Sequence, residues 1–199
     1  MDYIIGIDEV GRGSLAGPVT VCAFLWPKNL QLRKISLEVL KDSKKLTAKK
    51  REFWAKSFKK TRGVAWGIGH SSPQRIDRIN ISRASNEAAT KAIRNLENKL
   101  GFKVKKYQIY LDGGLFILNK GYKTKTIIGG DTKIKAIMAA SIIAKVTRDD
   151  LMRKISNNWP QYAFETHKGY GTKKHYQRLK KFGPSKEHRL TFLKKITIL

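Results

Sequence analysis

With 199 residues, of which 41% are hydrophobic and 29% charged, the chain can bury one sizeable core, and one compact domain with a modest appendage is expected. Its 42 lysines and arginines face only 15 acids, a net charge of +27 that asks for a polyanion as partner, nucleic acid first, while 10% aromatics and recurrent apolar runs exclude a disordered basic tail. A single cysteine excludes an internal disulfide or a cysteine-built zinc site, the longest apolar stretch (Ala136 to Val146) is far below the roughly 20 residues that span a bilayer, and no charged-then-apolar leader precedes the first apolar run, so a cytoplasmic, non-membrane protein is expected.

Tyr3 to Ile7 is the first strand-like run, followed by Asp8 and Glu9 and then by Gly11, Arg12 and Gly13, where glycines let a backbone approach a ligand. The first 27 residues hold Asp2, Asp8 and Glu9 against Arg12 alone, whereas residues 28 to 199 carry 41 basic and 12 acidic side chains. Val19 to Trp26 reads as a second strand, with Cys22 as a small buried hydrophobe. A helical pattern covers Thr47 to Lys60, a strand Val64 to Ile68, and a helix Ile81 to Leu100 whose Ala88, Ala92, Leu96 and Leu100 form one apolar stripe. Strands at Tyr107 to Leu111 and Thr124 to Ile128 are followed by Asp112 and, shortly after, Asp131. A helix over Ile134 to Asn157 carries Arg148 and Asp149, read as a structural ion pair with a supporting layer behind the site as the alternative, and another helix covers Lys173 to Phe182. This order predicts an α/β domain around a mixed sheet, spanning residues 1–159, and a helical C-terminal region over 160–199.

Scarce acids thus sit at strand ends. If those strands are neighbours, four carboxylates meet at one sheet edge, where the ligand crevice of open α/β sheets lies. Their repulsion requires a counter-charge, which a lysine could supply, but clustered oxygen ligands suit Mg²⁺ or Mn²⁺. A carboxylate-held metal in a basic protein is the chemistry of phosphodiester hydrolysis. Asp and Glu also end strands as turn residues, and Asp131 before Thr132 could be a helix cap.

Gly6 to Val19 reads GIDEVGRGSLAGPV, and together with DSKKL at Asp42 to Leu46 it closely resembles the signature of ribonuclease HII, the type 2 ribonuclease H. The resemblance continues through IDRINI at Ile76, LDGG at Leu111, AASIIAKVTRD at Ala139, HKGYGT at His167, and Gly183, Pro184, His188 and Arg189. It implies a ribonuclease H-like fold, a central mixed five-stranded sheet flanked by helices with a helical C-terminal extension. It also implies a catalytic, metal-binding quartet of Asp8, Glu9, Asp112 and Asp131 served by Mg²⁺ or Mn²⁺. The implied activity is cleavage of the RNA strand of RNA–DNA hybrids and nicking of DNA 5′ to embedded ribonucleotides, leaving 3′-hydroxyl and 5′-phosphate ends. A monomer acting in replication and ribonucleotide excision repair is expected.

In that family the turn matching Gly11, Arg12 and Gly13 reads the ribose 2′-hydroxyl, aided by a tyrosine matching Tyr170. The 2′-hydroxyl is donor and acceptor at once and is what distinguishes RNA from DNA at a given sugar. Lys45 is expected near the site as a phosphate contact, with a solvated lysine as the alternative. Ten basic residues and one Glu over residues 168–199, with aromatics interleaved, suit binding along a duplex backbone. Ser14 stands where the family has Pro, Gly129 where it has Lys, and Gly113 and Gly114 follow Asp112. The related ribonuclease HIII has an added N-terminal domain and a Gly-Lys-Gly turn, neither of which is expected in this chain. His167 and His188 fall in motifs without a paired acid and are assigned no proton transfer. The competing class, suggested by charge alone, is a non-catalytic basic RNA-binding protein.

Overall fold

The computed structural model describes residues 2–31 and 46–194. Lys45, with the rest of residues 32–45, lies outside the described residues.

Five strands form one sheet: β1 (Tyr3–Val10), β2 (Val19–Pro27), β3 (Ala65–Ser71), β4 (Gln108–Asp112) and β5 (Lys123–Ile127), in spatial order β3-β2-β1-β4-β5. The first three are antiparallel neighbours, whereas β4 runs parallel to β1 and β5 parallel to β4, which makes the sheet mixed. Helix α1 spans Ala48–Lys60, α2 Pro73–Ile79, α3 Ile81–Leu100, α4 Gly130–Lys133 and α5 Lys135–Asn158; α6 (Phe164–His167), α7 (Lys173–Phe182) and α8 (Leu190–Leu193) follow.

The pattern on β2 explains the layering. Val19, Val21, Ala23 and Leu25 pack with Ala84, Ala88, Ala92 and Leu96 of α3 on one face of the sheet. Cys22, Phe24 and Trp26 point the other way, against Trp54 and Phe58 of α1 and Ala136 to Ala144 of α5. A strand buried on both faces reads as a continuous apolar run, and all nine residues of β2 are buried. The expected stripe on α3 faces this core, with Ala88, Ala92 and Leu96 buried. Gly6 lets α5 cross β1 closely: a Cβ there would stand 2.1 Å from the carbonyl carbon of Ala136.

Several boundaries differ from the sequence reading. β1 continues to Val10, so Asp8 and Glu9 lie within the strand, and Asp112 is the last residue of β4. Helix α2 was not expected; Ser72 caps it by accepting from Arg75 N–H, and Pro73 opens it. Asn80, with φ +66° and ψ 164°, separates α2 from α3 and caps the latter through Arg83 N–H at 3.1 Å. Gly113, with φ +56°, begins a turn after β4. Arg148 and Asp149 do not bond to one another: Asp149 accepts from Lys145 one helical turn away, while Arg148 donates to backbone carbonyls. Adjacent helical residues point about 100° apart, whereas residues four apart share a face. Among the described residues no helix is long and apolar enough to cross a membrane.

Candidate active site

The parallel alignment of β1, β4 and β5 places their C-terminal ends side by side, with Ile7 opposite Leu111 and Asp112 opposite Ile127. Asp8, Glu9 and Asp112 consequently line one cleft of about 410 Å³, together with Gly11, Arg12, Gly13, Arg51, Ser141, Lys145 and Tyr170. Asp131 is buried in the first turn of α4, beside but not lining that cleft. It is tied to the others through the backbone, since the N–H of the preceding residue, Gly130, donates to Asp112 Oδ1 at 2.6 Å.

Charge is concentrated among these groups. Burial, then the neighbouring Glu9 charge, pushes the Asp8 carboxyl well above the usual carboxylate range; Asp112 adds to this, and a hydrogen bond with Ser141 opposes it. Glu9 is likewise raised, by burial first, with the Arg12 charge opposing and the Asp112 charge adding. Arg12 is 3.6 Å from Glu9 Oε1 and donates to Ser82 Oγ at 2.9 Å. The other Glu9 oxygen, Oε2, is buried without a hydrogen-bond partner. Carboxylates that raise one another's proton affinity, an unbonded buried oxygen and an all-oxygen donor set fit a hard divalent cation. Among the described residues no group of three or more His, Cys, Asp or Glu side chains is already arranged to hold a metal ion.

The loop from Gly11 to Pro18 is held by two fully buried arginines. Arg189 donates to the carbonyls of Gly11 (2.7 Å), Arg12 (2.8 Å) and Gly17 (2.8 and 3.0 Å). Arg148 donates to Ala16 (3.1 Å), Pro18 (2.9 Å) and Lys168 (2.9 Å). Gly11 has φ +89°, and a Cβ there would stand 2.1 Å from Arg148 Nε, so the turn has room for glycine alone. Burial lowers both guanidinium pKa values, that of Arg189 to about 9. Leu15 and Ala16 N–H donate to the Gly169 carbonyl, which brings Tyr170 to the same cleft; its ring lies 5.5 Å from the Arg148 guanidinium and 5.8 Å from Lys145 Nζ.

The family model for ribonuclease HII matches residues 5–196. The chain belongs to the ribonuclease HII family. It is 43% identical over 192 residues to the ribonuclease HII of Pelagibacter ubique, covering 96% of each chain, and 43% identical over 197 residues to that of Caldicellulosiruptor bescii, covering 99% of this chain and 89% of the relative. Among solved structures it is similar to the ribonuclease H2 of Pyrococcus horikoshii, with TM-score 0.73, 25% identity and coverage of 98% and 96%. As a ribonuclease HII the chain is a ribonuclease H, and the reading as a non-catalytic RNA-binding protein falls. A larger groove of about 600 Å³, lined by Asp77, Asn80 and Phe192 among others, lacks a carboxylate cluster; Asp77 there accepts from Leu190 and Thr191 N–H.

Sequence reasoning missed Ser141, Lys145 and Arg189 as parts of the candidate site, and of its two readings of Arg148 the supporting role fits the bonds to the loop. Ser141, Lys145 and Arg148 recur at spacings of four and three along α5, on the face turned toward β1 and its following loop, which is the helical signal that identifies them. Of the three departures from the family pattern, Ser14 is buried with its hydroxyl unbonded, Gly129 is left-handed at φ +63°, with open space where a Cβ would be, and Gly113 opens the turn after β4.

Proposed function

We propose that this ribonuclease HII, an endoribonuclease acting on RNA–DNA hybrids, also nicks DNA 5′ to an embedded ribonucleotide, using the cleft of Asp8, Glu9 and Asp112 with Asp131 behind it. The observation that carries the proposal is one cleft that joins these acids to Gly11, Arg12, Gly13 and Tyr170. Mg²⁺ or Mn²⁺, held by Asp8, Glu9, Asp112 and Asp131, would supply a nucleophilic water and charge neutralisation at the phosphate. Ser141 orients the Asp8 carboxylate, and Arg12 holds Glu9. The Gly11–Gly13 backbone offers donors and acceptors to the 2′-hydroxyl, while the Tyr170 ring stacks on the adjacent sugar and its hydroxyl adds to ribose recognition. Water attack at phosphorus leaves a 3′-hydroxyl and a 5′-phosphate.

The basic C-terminal region, residues 160–199, is proposed as a duplex-tracking surface. Lys173, Lys174, Arg178 and Lys181 sit together on α7, suited to phosphates. The enzyme is proposed to act as a monomer, in the cytoplasm, in ribonucleotide removal during replication and repair. Cleavage of a labelled RNA–DNA hybrid with Mg²⁺, with chelator, and by Asp8→Asn tests the assignment. Loss of cutting in the last two, with hybrid binding retained, is expected; Asp8→Asn cutting at the wild-type rate would remove Asp8 from the catalytic set.

A further inference from the structure

Three of the four histidines, His167, His175 and His188, are buried together beneath the Tyr170 loop, and nothing in the proposed chemistry uses them. The rings of His167 and His175 stack at 4.3 Å, and His175 Nε2 is 3.0 Å from His188 Nε2. Two imidazole nitrogens at that distance need one donor and one acceptor, and the surroundings determine which is which.

Ser185 N–H lies 2.9 Å from His188 Nδ1, as does Ser185 Oγ, which accepts from Glu187 N–H and has its own proton free to donate. A backbone N–H only donates, so His188 Nδ1 accepts and its proton resides on Nε2. His188 Nε2–H therefore donates to His175 Nε2, which places the His175 proton on Nδ1. That nitrogen lies 3.0 Å from the Tyr170 carbonyl oxygen and donates to it. The same reasoning applies beside it: Gly169 N–H donates to His167 Nδ1 at 3.3 Å, and His167 Nε2–H donates to the Tyr162 carbonyl at 2.9 Å. The direction of every bond from Ser185 to Tyr170 is fixed, and both linked imidazoles are neutral in it.

We propose that His188 and His175 form a one-way hydrogen-bond relay that positions Tyr170 in the cleft. The proposal rests on the reading of Tyr170 as a ribose-contacting residue. Apart from the Thr172 N–H at 2.8 Å, the His175 donor is the hydrogen bond the structure records to the Tyr170 carbonyl, and it is the one anchored in the buried cluster. Its loss leaves the carbonyl of a 36%-exposed tyrosine with the Thr172 N–H of its own loop as partner, the rest of the loop being held at the Lys168 and Gly169 carbonyls. His175 and His188 are positioning residues, acting through Tyr170.

Two substitutions at one position separate this from simple packing. Asn places its amide nitrogen where His175 has Nδ1, so His175→Asn keeps the donor to Tyr170 and leaves a cavity. Gln reaches the Nε2 position, so His175→Gln fills more of the space but loses that donor. On a DNA duplex with one ribonucleotide, His175→Gln is expected to lower kcat/KM roughly tenfold and His175→Asn by less than about threefold. His175→Asn as slow as His175→Gln, or His175→Gln at the wild-type rate, would overturn the relay.

Should either variant fail to fold, imidazole ¹⁵N spectra of the unaltered protein decide. A neutral His175 protonated on Nδ1 and a neutral His188 protonated on Nε2 are expected; His175 protonated on Nε2 contradicts the proposal. Tyr170→Ala, measured alongside, tests the underlying reading: an unchanged rate there overturns the ribose role of Tyr170 itself, whatever the spectra show.

Discussion

Removing the Arg148 fork is the perturbation whose consequence follows most directly from the structure. The guanidinium is fully buried, and its three bonds, to Ala16 O at 3.1 Å, Pro18 O at 2.9 Å and Lys168 O at 2.9 Å, tie β2's entry loop to the Tyr170 loop. Arg148→Ala strands those carbonyls, and each buried unsatisfied acceptor costs about 1–3 kcal/mol. The desolvation cost of the guanidinium, visible in its lowered pKa, is recovered in part. A net loss of about 3–5 kcal/mol is expected, and at roughly 2–4 °C per kcal/mol that is a fall in Tm on the order of 10 °C. Arg148→Lys keeps the charge but replaces a planar fork by a point donor, so it should recover about half of the stability. Urea melts give the stabilities, and cutting of a single-ribonucleotide duplex against an all-DNA duplex gives the discrimination. Arg148→Lys indistinguishable from wild type in both would refute the reasoning from fork geometry.

Asp8→Asn removes a buried charge that Glu9 and Asp112 oppose, so the metal-free variant should melt at or above the wild-type Tm. Its gain on adding Mn²⁺ should fall well below the wild-type gain, which is about 2.7 kcal/mol at a hundredfold excess over Kd; equal gains in differential scanning would contradict the ligand role. Ser14→Ala deletes a buried hydroxyl with no hydrogen-bond partner and should stabilise the protein by about 1 kcal/mol in denaturant titration. His175 and His188 fall from 6.5 to about 4 in the folded state, so the unfolded chain binds more protons between those pH values. Their contribution is fully present above pH 6.5 and is lost as pH falls to about 4, on the order of 3 kcal/mol per imidazole. His188→Gln should flatten that part of the stability–pH curve, and an unchanged slope would count against it.

The strands were legible because β-branched and aromatic runs broke at Gly or Pro, and α3 because Ala88, Ala92, Leu96 and Leu100 recur at helical spacing. What the pattern left out was neighbourhood. That β1, β4 and β5 are parallel neighbours depends on long connections across the sheet, and it is this adjacency that gathers Asp8, Glu9 and Asp112. Asp131 belongs to the same edge but is buried in α4, a placement set by the short turn after β5 rather than by any local signal. The ion-pair reading of Arg148 failed because its neighbour in sequence is not its neighbour on the helix. The arginine and histidine supports were invisible for a related reason: Arg189 reaches a carbonyl 178 positions away, and His188 a ring 13 positions away.

A DNA duplex with one embedded ribonucleotide, labelled at both ends and incubated with Mg²⁺, tests the central claim most directly. A single cut 5′ to the ribonucleotide is expected, with a 3′-hydroxyl upstream and a 5′-phosphate on the ribonucleotide, and no cut in the all-DNA control. A 2′,3′-cyclic phosphate would contradict water attack at the carboxylate edge, and equal cutting of the all-DNA duplex would contradict ribose reading by Gly11, Arg12, Gly13 and Tyr170.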